Sequence, residues 1–340
     1  MMSPRVTVIV PIYNVERYIG ECIRSLRNQD FADFEVVCVD SGCIDRSMEV
    51  ARTEADGDSR FVFIETGDRG QSVARNAALE IARGDYMLNL DSDDYYLPET
   101  IGSLVDEADR EGLDLLYFSA FTFYETDKLA RTNPEKQDDR PDIPGVLSGP
   151  DMYVRMEQTG AFRPSACMFM MRRDLVESLG LRFEEGIIHE DLLFTMMIAP
   201  LAKRAAFMNK TFYQRRMRPD STMTGKRSVR NIRGHLVASM RMEDWLHAHG
   251  SDYTDEFCDW YAHRIHHTWM LVAEDVRALG MGEVAPFRET LCREERIALD
   301  LHGIEPAKAL GEVYDSTTYR VGRTLLAVPT AIKDRINAKS

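Results

Sequence analysis

The chain has 340 residues and a mass of 38.9 kDa, with 44% hydrophobic and 29% charged residues, ordinary globular values that exclude wholesale disorder. No apolar run approaches the roughly 18 residues of a spanning helix, and the opening MMSPRVTVIVP is interrupted by Pro11 and Asn14 too early for a secretory leader, so a cytoplasmic chain is expected. The formal net charge of -14, from 42 Lys+Arg against 56 Asp+Glu, argues against a nucleic-acid binder.

An anionic ligand would have to be met by a local cation: arginines, a helix N-terminus or a divalent metal. The six cysteines include no CxxC pair and read as reduced packing residues, not as a disulfide framework or a zinc ribbon.

The elements follow in chain order. Val6–Val10 is a β-branched run that reads as a buried strand. A helical stretch follows, with Tyr18, Cys22, Ile23 and Leu26 near one face. Phe34–Val39 is a second strand. A helix over 46–55 leads to a third strand, 60–65. A helix over 72–82 stops at Gly84, and Tyr86–Leu90 is a fourth strand. Such repeats predict an α/β fold with a mainly parallel, Rossmann-like sheet and helices on both faces. Residues 126–148 are polar and proline-containing, and read as a surface loop or insertion. Strands are expected near 166–171 and 204–216, and long helical patterns cover 229–249 and 252–279. The expected organisation is a domain over 1–225, itself two halves (1–125 and 126–225), followed by a helical region over 226–340.

Ligands of open parallel sheets bind beyond the carboxyl ends of strands. Three polar clusters fall there: Pro11-Ile12-Tyr13-Asn14, Asp40-Ser41-Gly42-Cys43-Ile44-Asp45 and Asp91-Ser92-Asp93-Asp94. Three carboxylates on one short loop repel each other unless they share a cation or a proton. Hard oxygen ligands suit Mg2+ or Mn2+ holding a diphosphate. Taken alone, the loop reads equally well as a solvated acidic turn or a helix cap.

The stretches VTVIVPIYNVERYIGECIRSLRNQDFADFEVVCVDSG and GQSVARNAALEIARGDYMLNLDSDDYYLP resemble the nucleotide-sugar-binding half of family 2 glycosyltransferases, which have the GT-A fold. Ile188-His189-Glu190-Asp191 resembles the family's acceptor-side ED motif, and 213–224 is similar to the basic loop that follows it. The resemblance implies a nucleotide-diphospho-sugar donor, UDP-linked by preference, and a saccharide acceptor, plausibly on a lipid carrier, in surface polysaccharide synthesis. It implies that Pro11 and Tyr13 line the base pocket and that Asp40 accepts from the base. Arg75 and the 215–218 arginines, Arg218 among them, would lie near the diphosphate. Asp91 and Asp93 would be the DXD pair, with Asp93 the principal Mn2+ or Mg2+ ligand, and Asp94 would contact the donor sugar. Asp191 would be the general base of a single inverting displacement, with Glu190 as the fallback. The family often has a second aspartate where Ser41 stands, which puts details of base and ribose recognition in doubt.

Other readings stand beside these. Glu190 and Asp191 can serve only to complement a helix dipole, and the 215–218 arginines can be a solvated edge strand. Trp245, Trp260 and Trp269 read as helix packing. In the tail, five basic residues (Arg320, Arg323, Lys333, Arg335, Lys339) face two acidic ones from Asp315 onward. Val321, Leu325, Val328, Ile332 and Ile336 form an apolar stripe. A helix over 318–338 would dock on the protein's own core or lie on the inner membrane surface. The rival functions are a non-catalytic nucleotide-binding or scaffold subunit and a nucleotidyltransferase. PIYNVERYIG lacks the glycine-rich phosphate loop that the latter requires.

Overall fold

A computed structural model describes residues 3–67, 69–132, 140–219, 221 and 224–304. The chain divides into two compact units, Met1–Lys226 and one beginning at Arg227. The amphipathic stripe over 318–338 lies outside the described residues.

The first unit begins with β1 (Val6–Ile12), α1 (Ile19–Arg27), β2 (Phe34–Asp40), α2 (Ser47–Ala55), β3 (Phe61–Glu65), α3 (Gln71–Ile81) and β4 (Tyr86–Asn89). All seven residues of β1 are buried, as its unbroken β-branched run requires of a strand covered on both faces. It pairs in parallel with β2 from Val6↔Phe34 to Ile12↔Asp40, and with β4 from Val6↔Tyr86 to Ile9↔Asn89. Pro11 has no N–H to give, and it sits in β1 beyond the last residue paired with β4. The register thus places Pro11, Asp40 and the residues after Asn89 along one sheet edge.

The rest of the unit contains β5 (Tyr95–Tyr96), α4 (Thr100–Glu111), β6 (Leu115–Tyr124), α5 (Asp127–Thr132), α6 (Gly149–Thr159), β7 (Phe169–Arg172), α7 (Arg173–Ser178), α8 (Glu190–Ile198) and β8 (Ala205–Met217). The sheet order is β3-β2-β1-β4-β7-β6-β8-β5. This corrects the expected mainly parallel sheet. The strands β3-β2-β1-β4 and the pair β6·β8 are parallel, but β4·β7, β6·β7 and β5·β8 are antiparallel. The regular strand–helix–strand crossovers that enforce parallel pairing end at β4.

The reading of 126–148 as a surface loop is corrected in part. Arg140 and Ile143 are buried. The Arg140 guanidinium donates to the carbonyls of Phe118 (2.7 Å) and Ala161 (2.8 Å) and lies 4.4 Å over the Phe207 ring. Burial, with Arg163 nearby, pushes Arg140 down to about 9.

At the opposite sheet edge from the polar clusters, buried Glu35 accepts from Thr7 Oγ1 and from the Arg83 backbone and guanidinium. The same turn requires Gly84: a Cβ there would stand 2.4 Å from Thr7 N.

The second unit is helical: α9 (Val229–His249), α10 (Asp255–Leu279), α11 (Met281–Arg288) and α12 (Arg293–Ala298). Ser228 and Thr254 cap α9 and α10. Buried Asp275 binds both His235 (2.9 Å) and Arg227 (2.9 Å). Trp269 stacks on His302 at 4.1 Å and Trp245 lies 5.0 Å from Tyr261, both packing roles. Among the described residues no helix is long and apolar enough to cross a membrane.

Gly84→Ala forces a Cβ onto backbone atoms that cannot yield. Its expected cost is about 1–3 kcal/mol, read as a lowered midpoint in urea unfolding.

Candidate active site

The site is built where strands stop. Asp91 follows β4, and β4 is hydrogen-bonded to β1. Across from it, α3 turns a polar pair, Arg75 and Asn76, onto its buried face. Arg75 is only 2% exposed. Its Nη2 donates to Asp91 Oδ1 at 2.7 Å and its Nη1 to Glu190 Oε1 at 2.5 Å. The guanidinium sits 5.3 Å from the Phe183 ring, which is itself stacked on Phe194 at 4.0 Å. Asn76 holds the same residue by its backbone: Nδ2 donates to the Phe183 carbonyl at 2.9 Å, and Oδ1 accepts from its N–H at 2.8 Å. Helix α3 therefore ties the β4 loop to the segment leading into α8.

Asp191 is the second residue of α8. It is half-buried, with Oδ1 accepting from the Leu192 N–H at 2.9 Å. Burial, then the adjacent Glu190 charge, push its carboxyl up to about 7 against the pull of Arg75. His189 just before it takes a left-handed conformation (φ 66°), unusual for a residue with a side chain. It marks a constrained entry to the helix.

On the other side of the loop, β8 runs past Asp93 and Asp94. Pairing of β5 with β8 sets Tyr96 opposite Tyr213. Asp94 is buried and accepts from Tyr213 Oη at 2.5 Å and from the Arg216 N–H at 2.6 Å. The Asp94 carboxylate thus braces the loop against β8. Arg216 donates through Nε to the Asp93 carbonyl at 3.0 Å, pairs with Glu21 and stacks over Phe123 at 4.7 Å. Arg218 Nε donates to Asp93 Oδ2 at 2.7 Å, with its guanidinium 5.1 Å from the Tyr18 ring. Burial and the Asp91 charge push Asp93 up, and Arg218 opposes them.

At the far end of the edge, Asp40 Oδ1 accepts from the N–H groups of Gly42 (3.0 Å) and Cys43 (2.8 Å), closing the turn after β2. Pro11 is buried, whereas Tyr13 is 49% exposed.

Among the described residues, no group of three or more His, Cys, Asp and Glu side chains is placed to hold a metal ion. Asp91 and Asp93 supply two hard carboxylates, each with one oxygen engaged by an arginine. Mg2+ and similar ions are commonly held by one or two carboxylates together with water and substrate phosphates. The donor set therefore fits an ion shared with a diphosphate and not one caged by protein alone.

Of the residues that sequence reading singled out, the structure joins Arg75, Asp91 and Glu190 by ion pairs, places Asp191 next to Glu190 in sequence, and pairs Asp93 with Arg218. Sequence reading did not single out Asn76, Phe183, Gln71 or Tyr213. Asn76 had a signal, since a polar residue beside Arg75 on a helix face that must be buried needs partners.

The chain belongs to glycosyl transferase family 2, whose family model matches residues 7–180. It is 33% identical over 223 residues to the uncharacterized glycosyltransferase EpsJ of Bacillus subtilis (strain 168), covering 65% of this chain and 63% of that protein, less than two thirds of the relative's length. Among solved structures, TarS 1-349 of S. aureus in complex with UDP-GlcNAc superposes with a TM-score of 0.60 at 21% identity, covering 91% of this chain and 81% of that one. The mannosyltransferase PcManGT from Pyrobaculum calidifontis in complex with GDP-Man and Mn2+ gives a TM-score of 0.54 at 20% identity, covering 95% and 84%. At such identities these structures establish the shared fold.

Asn76→Ala leaves the buried N–H and carbonyl of Phe183 without their side-chain partner. The expected destabilisation is about 1–3 kcal/mol, measured by chemical unfolding. Asn76→Asp turns the donor that faces the Phe183 carbonyl and Glu185 Oε1 into a buried carboxylate oxygen, and is expected to cost at least as much as Asn76→Ala.

Proposed function

We propose that the protein transfers a sugar from a nucleotide-diphospho donor, most simply a UDP-sugar, to a saccharide hydroxyl with inversion at the anomeric carbon. The observation that carries this reading is the ionic bridge from Asp91 through Arg75 to Glu190. It ties the loop read as diphosphate-binding to the start of α8, which bears Asp191, whose carboxyl burial and Glu190 push up to about 7.

In this reading the donor lies along the sheet edge, with the base against Pro11 and Tyr13 and near Asp40. Asp91 and Asp93 would hold Mn2+ or Mg2+, which supplies electrostatic stabilisation of the departing diphosphate. Arg218, already at Asp93, and Arg75, behind Asp91, add fixed positive charge where negative charge develops. A protein of net charge -14 needs such local cations to attract an anionic donor.

Asp94, enclosed and with both carboxylate oxygens engaged by Tyr213 and the Arg216 N–H, keeps the loop seated on β8, and in this reading it serves the donor sugar by bracing that loop. Asp191 takes the acceptor's hydroxyl proton as the new bond forms, so the hydroxyl attacks without a covalent enzyme intermediate. The expected domains, 1–225 and 226–340, would serve as the transferase domain and a helical region whose 318–338 stretch would lie on a membrane surface. The surface-polysaccharide setting, a lipid-linked acceptor and a cytoplasmic site at the inner membrane face follow from the family reading.

Calorimetry with UDP, GDP, CDP and dTDP, each with and without Mn2+, tests the donor site. UDP binding that needs metal and disappears in Asp93→Ala is the expected result. Absence of metal-dependent binding to any of the four contradicts it.

Asp191→Asn is expected to bind UDP and Mn2+ normally and to lose transfer by about 10²–10⁴-fold. The base must be deprotonated to act, and burial together with Glu190 favours its protonated form. kcat/KM should therefore rise with pH and level off above about 7. A flat profile between pH 5 and 8 would remove Asp191 from the role.

A further inference from the structure

Glu190 and Asp191 are neighbours in sequence but sit in different surroundings. Asp191 is half-buried, whereas Glu190 has no exposed surface. Glu190 Oε1 accepts two bonds, from Arg75 Nη1 at 2.5 Å and from Gln71 Nε2 at 2.5 Å. Both donors lie on α3, one turn apart. The other arm of Arg75 grips Asp91 Oδ1.

Two atoms of the bridge, Glu190 Oε2 and Arg75 Nε, are buried with no hydrogen-bond partner among the described residues. The bridge therefore has no alternative internal partners at those atoms, and each end fixes the other. A side chain that is enclosed and already bonded to two donors is poorly placed to take a proton from an acceptor.

We propose that Glu190 is a positioning residue of the donor site. It anchors Arg75, and Arg75 orients the Asp91 carboxylate toward the nucleotide's metal. Gln71 completes the anchor. Donor binding on the β4 loop thus depends on a carboxylate that belongs to α8 and touches neither donor nor acceptor. This inference rests on the reading of the site given above. Groups behind metal ligands commonly control affinity in this way.

The physical reason is charge and geometry together. Arg75 is shared between two carboxylates. When Glu190 loses its charge, the guanidinium is drawn to Asp91 alone, which leaves that carboxylate more neutralised and less firmly oriented.

The test is UDP binding in the presence of Mn2+, by calorimetry on the full chain, for the parent, Glu190→Gln, Gln71→Leu, Arg75→Gln and the Arg75/Glu190 double variant. Near-ultraviolet circular dichroism reports whether each is folded. The expected result is an affinity loss of about 10–100-fold in Glu190→Gln and a smaller loss in Gln71→Leu. Glu190→Gln should add no further loss once Arg75 is already changed.

Unchanged UDP–Mn2+ affinity in Glu190→Gln together with lost transfer would overturn the proposal and return Glu190 to a catalytic role. Losses that add fully in the double variant would also overturn it, since they would show that Glu190 does not act through Arg75. If Glu190→Gln does not fold, the decision passes to Gln71→Leu, whose residue is exposed at the helix start: unchanged affinity there overturns the proposal. A parent protein that binds none of the nucleotides overturns the reading of the site, and this inference with it.

Discussion

Arg75 is a permanent cation buried in the first unit, and a buried charge is tolerated only when it is paired and hydrogen-bonded. Its two carboxylate partners come from places distant in sequence: the loop after β4 and the first residue of α8. Satisfying one guanidinium therefore fixes the spacing between the end of the parallel strands and the N-terminus of α8. The cost of breaking such a pair, on the order of 3–5 kcal/mol because a charge is left uncompensated, makes this spacing stiff. Asn76 adds a second tie by pairing with the Phe183 backbone, and Phe183 provides the aromatic face under Arg75.

The acidic loop is held from its other side by β8. Strand β8 reaches the loop because it pairs with β6 over a long stretch and with β5 at Tyr95–Tyr96. Arg216 on β8 and Arg218, just beyond its end, then divide the work. Arg216 is committed to structure, between Glu21, Phe123 and the Asp93 carbonyl, whereas Arg218 addresses the Asp93 carboxylate. Asp94, the most enclosed of the three aspartates, joins loop to strand through Tyr213 and the Arg216 N–H. One short loop thus carries two carboxylates, each held by an arginine, and a third that seats the loop on β8.

Much of this was legible in the sequence, and the reasons are local. The β-branched runs at 6–10 and 34–39 and the polar clusters just after them identify strands and the edge where chemistry collects. DSDD drew notice as three carboxylates on one loop, but taken alone it reads equally well as an acidic turn, and HED stood out only through the family resemblance. The antiparallel half of the sheet was not legible. The two-residue β5 has no periodicity to detect, and the partners of β7 and β8 are chosen by packing far along the chain. Arg140 was missed for a related reason: a polar, proline-rich stretch reads as solvated, and only the fold shows that its guanidinium is met by the carbonyls of Phe118 and Ala161. The bridge through Arg75 lay between these cases. Each member was named through the family resemblance, but an ion pair joining residues 75 and 190 cannot be deduced from either end alone.

One buried arginine couples the loop bearing Asp91 to the helix bearing Asp191, the proposed base. The most direct measurement is a crystal structure with UDP and Mn2+, locating the ion by its anomalous scattering. The account predicts an anomalous peak bound by Asp93 and Asp91 and by diphosphate oxygens, with Arg75 still joined to both Asp91 and Glu190. An ion bound elsewhere, or a nucleotide complex in which Arg75 has left Glu190, would contradict it.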